Sequence, residues 1–121
     1  MMFGHIGFGV KDLEKSKRFY EAALKPVGLE LTHSSDESAR FGEGGRTRLY
    51  VHTRSAPAGP FHIAFEVNTQ QQVDDFHPAA VAAGGVDHGA PGIREHYSPT
   101  YYAAFVLDPD GNNVEVVCRD S

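Results

Sequence analysis

Two short stretches decide how this chain is read: HIGFGV at residues 5–10 and HIAFEV at residues 62–67. They lie 57 residues apart and agree at His, Ile, Phe and Val. The same offset, with no gap, sets Phe19 on Phe76, Ala22 on Ala79, Ala23 on Ala80 and Gly28 on Gly85. These eight identities cover a strand-like segment and the helix-like segment that follows it, so the chain reads as an internal duplication. Within each stretch apolar residues alternate with others. Ile6, Phe8 and Val10 oppose His5, Gly7 and Gly9, and Ile63, Phe65 and Val67 oppose His62, Ala64 and Glu66. Period-two alternation predicts half-buried strands with one apolar face and one face bearing a histidine beside small residues.

Working outward, Asp12 reads as the N-cap of a first helix, and Thr69 followed by Gln72 reads as a capping box for a second. Leu13, Phe19, Ala23 and Val73, Phe76, Ala80 form their buried stripes, with Gly28 and the Gly84-Gly85 pair as stops. Pro78 inside the second helix is expected to kink or split it. ARFGEGGRTRLYVH and YYAAFVLDPDGNNVEVVC each read as two strands around a turn, the second marked by Asp-Pro-Asp-Gly. RSAPAGP (54–60) reads as the link between copies, and GAPGIREHYSPT (89–100) as a long irregular loop. The expected fold class is α+β: two tandem βαβββ modules forming curved mixed sheets around a metal or ligand site, with the helices on the outer face. Residues 1–121 form one domain, with module 1 at about 1–55 and module 2 at about 60–121.

Composition narrows the function classes. Hydrophobic residues at 40% and charged residues at 22% belong to a folded globular chain, and the net charge of −5 argues against a nucleic-acid partner. A lone cysteine, Cys118, cannot form an internal disulfide. With no apolar run of membrane length and no signal-peptide pattern, a cytoplasmic location and no membrane association are expected.

Strand parity assigns the face opposite the helices. Leu49 and Val51 should face the helices and leave Arg48, Tyr50 and His52 on the other side; Val114, Val116 and Cys118 should do the same and leave Glu115 and Val117. Two imidazoles and a carboxylate on such a face, His5, His62 and Glu115, suit a site for divalent iron, manganese, zinc or nickel with positions left open. A glutamate between valines points to a partner, because a buried carboxylate is costly alone. Arg48 and Arg94 are candidates to clamp a carboxylate or phosphate.

HIGFGVKDLEKSKRFYEAAL, HIAFEV and YYAAFVLDPDGNNVEVV together resemble the vicinal-oxygen-chelate superfamily, which includes glyoxalase I, fosfomycin- and bleomycin-resistance proteins, extradiol dioxygenases and methylmalonyl-CoA epimerase. The resemblance implies His5, His62 and Glu115 as metal ligands, and it places Tyr50 where glyoxalase I has a metal-binding glutamate. It implies Glu115, Tyr50 and His96 as catalytic residues, and Arg48, His52 and Tyr101 as substrate-binding residues. The activity it implies is divalent-metal-dependent lyase or isomerase chemistry on a small substrate chelated through neighbouring oxygens. The alternatives are extradiol ring cleavage, in which His96 with Tyr97, Tyr101 or Tyr102 acts near the metal, and drug sequestration without catalysis. A homodimer is also implied, with His5 of one chain meeting His62 and Glu115 of the other.

Overall fold

The computed structural model describes residues 3–119. The chain runs β1 (Ile6–Gly9), α1 (Leu13–Leu24), β2 (Glu30–Ser34), β3 (Ser38–Glu43), β4 (Arg46–His52), β5 (His62–Val67), α2 (Gln70–Ala82), β6 (Val86–Ile93), β7 (Tyr102–Leu107) and β8 (Asn113–Cys118). Each βαβββ module forms its own four-stranded sheet, ordered β1-β4-β3-β2 and β5-β8-β7-β6. The order is the same in both. In each, the first strand runs parallel to the last, which the intervening helix makes possible, and the other pairings are antiparallel. The 57-residue repeat is therefore a repeat of topology.

The helices begin where their caps predict. The Asp12 side chain accepts from the Lys15 N–H at 3.1 Å, and Thr69 and Gln72 bond reciprocally at 3.2 Å. Each helix lays its apolar stripe on its own sheet, and one continuous core joins the two modules. It contains Phe8, Phe19, Tyr20, Phe41, Leu49 and Val51 from the first, and Val73, Phe76, Val106, Val114, Val116 and Cys118 from the second. Phe8 meets Phe61 edge-on across the junction, with ring centroids 4.7 Å apart. Gly85 is a point of close approach, since a Cβ there would fall 2.6 Å from the Phe19 ring.

Two local expectations are corrected. Pro78 does not split α2, which is continuous from Gln70 to Ala82. Proline removes only the N–H bond back to residue 74, and the buried Val73, Phe76 and Ala80 hold the helix to the sheet on both sides of the defect. The stretch GAPGIREHYSPT is not a loop throughout, because residues 89–93 belong to β6. That strand pairs with β7 through register shifts on either side of Gly89, and bulged strands tolerate glycine and proline that regular ones reject. Only the part after Ile93 is irregular. Among the described residues no helix is long and apolar enough to cross a membrane.

Candidate metal and substrate site

Strand register builds the site one row at a time. In the second sheet Ala64, Glu115 and Phe105 are direct cross-strand partners, with His62 and Asn113 paired in the neighbouring row. Residues two apart share a face, so His62, Asn113, Glu115, Ala103 and Tyr101 all lie opposite the helix. Glu115 is only 2% exposed. Its carboxylate is held from two sides. His62 Nε2 lies 2.7 Å from Oε1, and the Tyr101 hydroxyl donates to Oε2. A carboxylate accepts only, so His62 presents Nε2–H to it in this arrangement. Partial burial, then the bond to Glu115 and the charge of that carboxylate, push the Tyr101 hydroxyl up to about 12. It therefore stays a donor at neutral pH. Beside this pair the Asn113 Oδ1 is buried with no hydrogen-bond partner among the described residues, an acceptor turned to the same row as His62.

Aromatic contacts lead outward from Glu115. Tyr101 meets Tyr97 edge-on at 4.9 Å, Tyr97 meets His96 at 4.2 Å, and the Arg119 guanidinium lies 5.5 Å from the Tyr101 ring. His96 sits in the loop before β7, exposed, and approaches Glu115 only through these two tyrosines. Tyr102 points elsewhere, its hydroxyl donating to Asp74 of α2. Arg94 is spent on the carbonyls of Gly92 and Ala90 and packs 5.2 Å from the Phe105 ring.

The first sheet carries the other candidates. Gly7 and Tyr50 are partners across β1 and β4, and the Tyr50 ring lies over Gly7 so closely that a Cβ there would be 2.5 Å from its Cδ1. His52 stacks near it, with ring centroids 5.1 Å apart, and its Nδ1 accepts from the Arg54 N–H. Arg48 donates to both oxygens of Glu43 and to the Gly4 carbonyl, which ties the start of β1 to the β3–β4 hairpin. That hydrogen bond holds the Glu43 carboxyl below its ordinary range. His5 is exposed and lines a cavity of about 590 Å³ with Arg40, Arg46, Thr47, Arg48 and Tyr50.

Within one chain, then, His62 and Glu115 meet and His5 stands apart on the other sheet. Among the described residues no three His, Cys, Asp or Glu side chains gather to hold a metal ion. The two that do meet fit a metal's donor set. Neighbouring ligands each about 2.0–2.2 Å from a divalent ion are separated by roughly 3 Å, so a 2.7 Å pair needs to open by only a few tenths of an ångström. Sequence reasoning missed Arg40, Arg54 and Asn113, none of which stands out without the cross-strand register.

Two βαβββ modules with matching sheet order, each presenting a histidine on its helix-free face, define a paired-module α+β protein. The chain belongs to the glyoxalase/bleomycin resistance protein/dioxygenase superfamily, whose family model matches residues 2–116. A glyoxalase/bleomycin resistance protein from Albidiferax ferrireducens T118 is similar over 99% of this chain and 100% of its own, at 29% identity and a TM-score of 0.83. A glyoxalase-related enzyme from Fulvimarina pelagi shares the fold over 98% of this chain and 88% of its own, at 22% identity and a TM-score of 0.73. A lactoylglutathione lyase from Agrobacterium tumefaciens does so over 96% and 92%, at 20% identity and a TM-score of 0.68. No curated protein matches the sequence.

Proposed function

We propose that this protein is a divalent-metal-dependent enzyme acting on a small substrate that chelates through neighbouring oxygens, with lyase or isomerase-like chemistry. The observation that carries the reading is the buried Glu115 carboxylate with His62 Nε2 2.7 Å from it on the helix-free face. A carboxylate between valines, sequestered from water and aimed at an imidazole, is a poor device for stability but a good pair of metal donors. Family membership supports the same reading.

His62, Glu115 and His5 would hold the metal, His5 coming from the second copy of a homodimer, because the first sheet of the same chain keeps it away from the other two. The bound metal supplies a Lewis acid for an oxyanion formed on the substrate. The protein's own part is definite. Tyr101 fixes Oε2 of Glu115 and so orients Oε1 toward His62, while Ala64, the cross-strand partner of Glu115, adds little bulk beside it.

Metal titration of protein purified without chelators, monitored by calorimetry, tests this. Glu115→Gln and His62→Ala should each weaken divalent-metal affinity at least about tenfold while circular dichroism stays native. Unchanged affinity in both variants excludes the triad. Absence of any metal binding by the wild type favours ligand sequestration instead.

A further inference from the structure

We propose that the helix-free face of the first sheet is an anion-binding site, in which Arg40 and Arg54, gathered around Tyr50, take a phosphate or carboxylate group of the substrate. The inference deepens the metal-enzyme reading by naming the charge its substrate carries. It starts from Gly7. With no Cβ at that position the Tyr50 ring can lie across β1, as it does, and become a flat floor for that face. Arg40 is Tyr50's partner on β3, and its guanidinium carbon lies 5.6 Å from the ring centre. The Arg54 guanidinium lies 5.3 Å from the same centre. Arg46 joins Arg40 and His5 in the wall of the 590 Å³ cavity.

The charges on this face do not balance. Arg48 is neutralised by Glu43 at 3.1 Å, and Arg46, the cross-strand partner of Glu43, also acts on that carboxylate, but among the described residues Arg40 and Arg54 have no carboxylate within ion-pairing distance. In a chain of net charge −5, two uncompensated guanidiniums beside one ring are an uneven distribution. Both converge on the Tyr50 ring, which orients them without cancelling their charge. An incoming oxyanion would cancel it, and the planar guanidinium fork matches phosphate and carboxylate geometry. Because His5 shares the cavity, a substrate anchored there by its anionic end would extend its other oxygens toward the proposed metal.

Calorimetric titration of metal-free protein with inorganic phosphate and, separately, with glutarate tests the proposal, at ionic strength fixed with sodium chloride. Saturable binding of one anion per chain is expected, and Arg40→Gln and Arg54→Gln should each weaken it about tenfold. Arg40→Lys should fall between, since it keeps the charge and loses the fork. Arg18→Gln, which removes an equal charge from the exposed face of α1, should leave it unchanged. Binding of phosphate alone, of glutarate alone or of both assigns the anion class. No saturable binding of either, or an equal loss in Arg18→Gln, overturns the proposal. Metal is absent from the assay, so failure here leaves the His5, His62 and Glu115 triad standing, and loss of the triad leaves this site standing.

Discussion

Asp108 opens the Asp-Pro-Asp-Gly turn, which in sequence signals a hairpin and nothing more. In the fold its buried carboxylate accepts four hydrogen bonds, from the Tyr20 hydroxyl, the Asn112 amide side chain and the backbone N–H groups of Asp110 and Asn112. The bond to Tyr20 stitches the closing hairpin of module 2 to the helix of module 1, and burial first, then the Asp108 charge, hold that phenol well above its ordinary value. Asp108→Asn turns one acceptor oxygen into a donor facing donors, and should destabilise the protein by about 2–3 kcal/mol in urea unfolding. A change below about 0.5 kcal/mol would show that the network contributes little. Tyr50 carries the second residue-scale prediction. The family resemblance sets Tyr50 at the position of a glyoxalase I carboxylate, and its phenol ring covers Gly7 and is crowded by Arg40, Arg54 and His52. Phenols are weak bases at neutral pH because their ordinary pKa is near 10. Little or no turnover of the glutathione hemithioacetal of methylglyoxal is therefore expected with nickel, zinc, cobalt, manganese or ferrous iron. Efficient turnover with any one of these metals would refute the inference.

At the scale of elements, legibility followed local chemistry. The strands carrying HIGFGV and HIAFEV, both helix starts and the Gly44-Gly45 turn are written in alternation, caps and glycines that act over a few residues, and each forms as expected. β6 was illegible for the opposite reason. Its VDHGAPGI has the composition of a loop, and it is a strand because β7 offers it a ladder interrupted by bulges. A further contact holds it from the other side: His77 of α2 lies 2.8 Å from Asp87 of β6. The bond from His77, then that from the Gly89 N–H, lowers the Asp87 carboxyl below its ordinary value. A depressed folded pKa means that the contribution to stability is complete above the unfolded value near 3.8 and is lost as pH falls through the folded one. His77→Gln should return the Asp87 titration, followed by carboxyl-carbon NMR, toward its ordinary range. An unmoved titration would assign the shift to the Gly89 N–H alone.

For the whole molecule, the duplication explains why the site was only half visible in one chain. Parity along the strands placed His5, Tyr50, His62 and Glu115 on helix-free faces, but parity cannot say which two faces meet. In the fold, helix contacts and the shared core join the modules, and the faces bearing His5 and Glu115 belong to separate sheets. Among the described residues the first strand of each sheet lies at an edge with no further strand paired to it, and Ile6 at the first of these edges is 37% exposed beside Ile63 and Phe65 of β5. Open edges and exposed apolar side chains both favour closure against another chain. A two-fold dimer would supply His5 to each His62 and Glu115 pair, making two equivalent sites. Subunit mixing follows from this. His5→Ala and Glu115→Gln homodimers should each bind metal poorly, because every site in either lacks one ligand. In the mixed dimer one site lacks both ligands and the other has all three. Full exchange of equal amounts of the two variants makes about half of the dimers mixed, so tight metal titration should recover about a quarter of a site per chain, with native mass spectrometry confirming that heterodimers have formed. Verified exchange without recovery of metal binding would place the complete site within a single chain.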